Sequence, residues 1–244
     1  MRNLLFNISY KGTAYHGYQV QKNAHTVACE LQNAIERVLT RREDIVGCSR
    51  TDTGVHANSY YFNMKTESNI GEDKLAYALN SILPEDIAVL SCKSVDMDFH
   101  ARYSCVKKEY IYKILNTRIK NPFLEDLALH WRYDMDIDKL NRAASYFVGT
   151  YDFRAFCSKS DVEDTVRTIE HCGFHREGDM VIFTVRRNGF LYKMVRTMVG
   201  TLLSVSSGRF APEDIEKIIE SKDRSLAGMT APAHGLYLNC VFYD

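Results

Sequence analysis

No run in this 244-residue sequence is apolar enough, for long enough, to span a membrane. The opening MRNLLFNISYKG holds only a few apolar residues before Asn7, far short of a signal-peptide core, so a cytosolic protein is expected. Proline is scarce, at four residues, and 45% hydrophobic with 25% charged residues lies within the ordinary globular range, which excludes disorder. The length suits one large domain or two small ones, each able to bury a core. The seven cysteines (29, 48, 92, 105, 157, 172 and 240) are odd in number and lack any C-x-x-C spacing, which argues against a disulfide framework and a zinc ribbon. Net charge is also missing: 31 basic residues balance 31 acidic ones, so the total announces no polyanionic partner.

The distribution of charge says more than its sum. No acid precedes Glu30, and none lies between Met180 and Pro212, where Arg186, Arg187, Lys193, Arg196 and Arg209 do. Such segregation suits either a solvated helix face or a basic surface on a neutral protein. HCGFH offers His171, Cys172 and His175 as metal ligands, but its surroundings read as a strand hairpin. Alternation there sends the histidines to one face and the cysteine to the other, so no metal is expected.

Two series of elements follow one another. NLLFNISYKG alternates as a strand ending at Gly12; TVACELQNAIERVLTRR has helical spacing, with Thr26 as its cap. SYYFNMK, GEDKLAYALNSIL and DIAVLSCKSV extend the order to β, α, β, α, β, a layered α/β unit. The second series runs through KKEYIYKILN, a helix in DIDKLNRAASYFVG closed by Gly149, the hairpin, a helix in FLYKMVRTMVGTLLSVSSG, APEDIEKIIES led by Pro212, and a final strand GLYLNCVFYD. Two α/β halves, 1–104 and 105–244, are expected. The echoes KGTAYHGY and VGTYDFRAF hint at a duplication.

CSRTDTGVHAN contains an Asp-Thr-Gly, the tripeptide of aspartic proteases. A protease needs two such carboxylates sharing a proton, whereas this chain has one, with Arg50 two residues from Asp52 to favour the ionised form. Taken alone, Asp52 reads as a turn cap. Joined to YKGTAYHGYQVQ, ALNSILPEDIAV, FHARYSCVKKEYIYKI, GTYDFRAF, TVRTI, FLYKMVRTMVG and APAHGLYLNCVFY, the block resembles the tRNA pseudouridine synthase A family from about residue 8 to residue 243.

The resemblance implies an α/β (α+β) fold of two similar domains with mainly antiparallel sheets flanking a central basic cleft. It also implies a homodimer without metal or organic cofactor, acting on the anticodon arm of tRNA. Asp52 matches the catalytic aspartate, Arg196 the arginine that pairs with it, Tyr110 a tyrosine that stacks on the base, and Leu236 an apolar pocket residue. Arg50 matches an arginine associated with base flipping. Arg102, Lys107, Lys108, Arg186 and Arg187 are candidates for phosphate contacts, and Tyr18, Gln19 and Gln21 for RNA-facing polar groups. Each has an ordinary reading beside it: sheet core for Tyr110 and Leu236, a solvent-facing helix residue for Arg196. Tyr18 stands where the family usually has Trp, and Tyr151 where His is common. Another stable RNA such as ribosomal RNA, a catalytically silent RNA-binding protein and a dimeric protease are the alternatives in descending order.

Overall fold

A computed structural model describes residues 1–159, 161–187 and 189–243. In chain order its elements are β1 (Arg2–Tyr10), α1 (Val27–Leu39), β2 (Ile45–Gly47), β3 (His56–Thr66), α2 (Glu72–Asn80), β4 (Ile87–Val95), β5 (Cys105–Leu115), β6 (Leu129–His130), α3 (Ile137–Ser145), β7 (Gly149–Asp152), β8 (Val166–Ile169), β9 (His171–Glu177), β10 (Met180–Arg187), α4 (Met194–Ser206), α5 (Asp214–Ser221) and β11 (Leu236–Tyr243). The chain is mixed α/β with mainly antiparallel pairing. It divides into two compact units, residues Met1–Val106 with the chain from Tyr237 on, and Lys107–Leu236. The closing strand, read in the sequence as part of the second half, therefore belongs with the first.

In the first unit β1 lies between β4 and β3, antiparallel to both. Its alternating Leu4, Phe6 and Ile8 are fully buried, and Phe6 opposite Phe62 stacks on it with ring centroids 4.7 Å apart. The outer edge of β3 is shared: β11 pairs in parallel at His56 and Ala57, and the short β2 pairs along Phe62–Met64. Three apolar residues in an otherwise polar stretch made β2 invisible as a separate strand. Thr26 caps α1 by accepting from the Cys29 amide, as its position in the sequence predicts, and Val27, Leu31 and Ile35 line the helix's buried side.

A buried amide pair ties this sheet to the segment leading into β5. Asn63 donates to the Asn3 side-chain oxygen at 2.9 Å, and its own oxygen accepts from the Ala101 amide at 2.8 Å. The Asn3 amide reaches the carbonyls of Asp96 and Phe99 at 2.8 and 2.9 Å. Both residues are almost wholly buried, so every bond in the set replaces one that water cannot supply.

In the second unit β10 lies between β5 and β9, antiparallel to both, with β6 parallel to β5. The His171 and His175 side chains are exposed and Cys172 is buried, as strand alternation requires, and among the described residues no cluster could hold a metal. Asn141 on α3 bonds both backbone groups of Phe174 on β9, covering part of that edge strand. Three boundaries differ from the sequence reading. The helix α3 stops at Ser145, because Gly149 (φ +134) already opens β7. The segment 167–187 is not one hairpin: β8 leaves to pair with β7 in a small sheet of its own. Helix α4 begins only at Met194, since Lys193 sits in the left-handed region and Leu191 and Tyr192 lie in the turn before it.

The amide pair yields a direct test. Asn63→Ala strands the Ala101 amide and the Asn3 carbonyl oxygen, and should cost about 1–3 kcal/mol. The exposed neighbour Lys65→Ala should stay within about 0.5 kcal/mol. Urea denaturation of both variants checks this, and equal midpoints would show the pair to be idle.

Candidate active site

In the first unit the Asp-Thr-Gly tripeptide lies in loop 48–55, between β2 and β3. The loop is a tight turn: the Val55 amide donates to the Asp52 carbonyl at 3.1 Å, and Gly54 adopts φ +77, a region costly for side-chain-bearing residues. Its root is tied to the sheet, where the Cys48 amide donates to the Tyr61 carbonyl and the Tyr60 hydroxyl donates to the Ser49 carbonyl. Thr51 shares a buried hydrogen bond of 2.9 Å with the Tyr10 hydroxyl at the end of β1.

The segment 12–18 presses on this loop from the other side. The Gly54 amide donates to the Tyr15 carbonyl at 3.2 Å. At Gly17, with φ +86, a Cβ would fall 2.3 Å from the Thr51 carbonyl oxygen, and at Gly12 it would fall 1.9 Å from that of Val55. Backbone therefore meets backbone on both sides of Asp52. The Gly12 amide donates to His56 Nδ1 at 3.0 Å, and the His56 ring stacks on Tyr237 with centroids 4.6 Å apart. Asp52 itself is half-buried and Arg50 exposed.

In the second unit Arg196 occupies the first turn of α4. Its Nε donates to the Ala231 carbonyl at 2.7 Å, while the Ala231 amide donates to the Arg196 carbonyl at 3.0 Å. The same loop, 228–236, fits against α4 at Gly200, where a Cβ would lie 1.7 Å from the Met229 carbonyl oxygen, and against β5, where Tyr112 donates to the Pro232 carbonyl at 2.8 Å. Burial pushes the Tyr112 hydroxyl well above its usual range, and the charge of Arg196 partly opposes that. Burial lowers the pKa of His234, against the pull of Asp126 and helped by Arg196. Leu236 is buried at the end of this loop. Tyr110 is also buried and meets the edge of Phe190 at 5.1 Å, with the Arg187 guanidinium 5.6 Å from the centre of the Phe190 ring.

A family model described as tRNA pseudouridine synthase matches residues 7–104 and 143–244. The chain belongs to the tRNA pseudouridine synthase family. It is 46% identical over 244 residues to "tRNA pseudouridine synthase A" of Acetivibrio thermocellus and 45% identical to that of Thermoanaerobacter sp. (strain X514), with both chains of each pair fully covered. With the protein of that name from Bacillus pumilus it shares 44% over 240 residues, 97% of each chain. Membership makes the protein an isomerase.

Within the first unit, the loop of Asp52 and the glycine-bearing segment meet as described. Within the second, Arg196 and Leu236 share loop 228–236 with Tyr112, and Tyr110 and Arg187 share Phe190. Other candidates change character. Tyr18 is 2% exposed and its ring stacks on Tyr60 at 4.2 Å, so it props the loop's root and is no RNA-facing group. Gln19 and Arg102 are exposed. Lys108 is buried, and so is Arg187, whose pKa burial lowers to about 10, so neither offers a surface charge. Arg186 is committed to Glu109 at 2.5 Å and Lys107 to Glu170 at 2.6 Å, which weakens their claim as phosphate contacts. Reading residues for chemistry passed over Gly12, Gly17, Tyr10 and Phe190. The signal was present in KGTAYHGY, where two glycines flank a run with no turn dipeptide to explain them.

Replacing Gly17 isolates that packing. Gly17→Ala should cost at least about 2 kcal/mol, through both its positive φ and the blocked Thr51 carbonyl. Gly178→Ala, at φ +57 with nothing near its Cβ, carries the backbone penalty alone. Denaturation midpoints compare the two; equal losses would remove the contact from the account.

Proposed function

We propose that the protein converts uridine to pseudouridine in the anticodon arm of tRNA, in the cytoplasm and as a homodimer, with the Asp52 carboxylate as nucleophile. The observation that carries this reading is a carboxylate on a loop clamped at the backbone, in a chain similar over its whole length to proteins named tRNA pseudouridine synthase A. The reaction breaks the bond from N1 to the ribose C1′, turns the base and forms the bond from C5 to C1′. C5 loses a proton to a base and N1 gains one, so the product is an isomer of the substrate. A carboxylate that forms a covalent adduct holds the intermediate while the base turns, and needs no redox partner.

The remaining roles follow from what that carboxylate requires. A uridine within a stem must leave the stack, and Arg50 is the residue we assign to prop the gap. Tyr110 stacks on the extruded base, and Leu236 packs against it. Water leaves as the base enters, which disfavours a bare carboxylate, and Arg196 is the residue we assign to offset that with positive charge. Its own plane is fixed by the Ala231 carbonyl, so it acts from a set position.

The test uses tRNA transcripts carrying tritium at uridine C5, with label released to water as the readout. Asp52→Asn should abolish release and leave tRNA affinity within about threefold, because it removes the reacting charge and no RNA contact. Arg196→Met should lower turnover by more than about a hundredfold with a far smaller change in affinity. Equal losses in both would make Arg196 a phosphate contact. Release from ribosomal RNA fragments alone would move the substrate, and binding without release by the unaltered chain would leave a silent RNA-binding protein.

A further inference from the structure

We infer that Lys159, Tyr192 and Lys193 form a phosphodiester clamp that grips the tRNA backbone next to the reacting nucleotide. This rests on the reading above for the identity of the polyanion. Tyr192 is 40% exposed, a large ring left at the surface immediately before α4. Two ammonium groups flank it: Lys193 Nζ lies 5.0 Å and Lys159 Nζ 5.3 Å from its centre. A cation over an aromatic face is held there by the ring's quadrupole while keeping its hydrogen-bond donors for another partner. Ring and cations also come from two segments that are themselves joined, since the Ser158 amide donates to the Tyr192 carbonyl at 3.2 Å.

Two independent features separate this cluster from an ordinary charged surface. First, the charge is not spent internally. Among the described residues neither Lys159 nor Lys193 has a carboxylate within ion-pair distance, whereas Lys107 and Arg186 in the same unit do. The stretch from Met180 to Pro212 contains no acid that could neutralise Lys193. Second, the backbone is bent to make the arrangement. Lys193 is held at φ +58, a conformation that costs a non-glycine residue roughly 1 kcal/mol or more, and its side chain makes no capping bond to α4 in return. Glycine would fill that position without strain, so the lysine side chain is the reason for bearing it. What the strain secures is an ammonium beside Tyr192, one helical turn before Arg196.

The geometry selects the ligand's chemistry. Two ammonium groups near one ring present compact point charges, which suit the phosphates of a nucleic-acid strand and carry no base specificity. The clamp therefore sets affinity and register, while Asp52 sets chemistry.

The experiment compares the unaltered chain with Lys159→Gln/Lys193→Gln, with Lys159→Arg/Lys193→Arg and with Tyr192→Leu. Filter binding to tRNA is measured over a salt series, together with single-turnover tritium release. The double Gln variant should lose about tenfold in affinity, and the slope of log K against log salt should shrink by about 1.5, as two lost phosphate contacts require. Its loss should lie in KM with little in kcat, and the Arg pair should restore both affinity and slope. Tyr192→Leu should lose part of the affinity with the slope retained. An unchanged slope in the double Gln variant overturns the clamp, as does an Arg pair that folds, by its thermal transition, yet fails to rescue. If the unaltered chain releases no tritium while the slopes differ as stated, the clamp stands and the catalytic reading falls.

Discussion

Asp52 is held by the absence of two side chains. Gly12 and Gly17 bring the backbone of segment 12–18 to within van der Waals reach of the carbonyls of Val55 and Thr51, at distances where no Cβ fits. The turn that carries Asp52 is closed by its own hydrogen bond to Val55 and flanked by these contacts, so the carboxylate springs from a backbone with no slack. The nucleophile proposed above gains from being held in position before the substrate arrives, and backbone-to-backbone contact is stiffer than side-chain support. Tyr10, Thr51 and His56 add hydrogen bonds to the same end.

The second unit repeats this principle with a different element. Loop 228–236 lies flat on α4 because Gly200 lets the Met229 carbonyl approach, and the reciprocal bonds between Arg196 and Ala231 then fix the guanidinium relative to the loop. Tyr112 pins the loop from the sheet side through the Pro232 carbonyl. A flexible arginine is thereby turned into a charge of set direction, with its Nε already occupied. The tyrosine that the family resemblance did not select, Tyr112, carries this support, while Tyr110 one pleat away packs on Phe190.

How much of this was readable in the sequence depended on whether a residue acts locally. Strands and helices with clean periodicity were legible: β1, α1 with its Thr26 cap, β4, and the split of His171 and His175 from Cys172. Asp52 and Arg196 stand out in the sequence only through the family resemblance. What escaped was set by distant partners. Tyr18 looks like a surface aromatic in YHGYQVQ, yet Tyr60 and Gly47, brought in from two other strands, bury it. Lys108 and Arg187 read as basic surface because charge in a sequence carries no depth, and the closing strand read as part of the second half because pairing with β3 spans the whole chain. The end of α3 was misplaced for a local reason, since Gly149 looks like a helix stop and instead opens a strand.

A protein of zero net charge that must hold a polyanion cannot rely on its overall field, so what matters is which cations are left over after internal pairing. Part of the basic surface is paired internally: Arg41 and Arg42 with Glu67 and Glu36, Lys107 with Glu170, Arg186 with Glu109, Lys217 with Asp214 and Lys222 with Asp152. Each such pair has a short range at physiological salt, where screening acts over about 8 Å, and contributes little to attracting RNA. Among the described residues, Lys159 and Lys193 make no ion pair and share one aromatic neighbour, Tyr192, whereas Arg102, Arg132 and Arg209 each meet only the ring of the residue next in sequence. Two cations on one ring then concentrate attraction at a place on the second unit close in sequence to the arginine assigned to the chemistry.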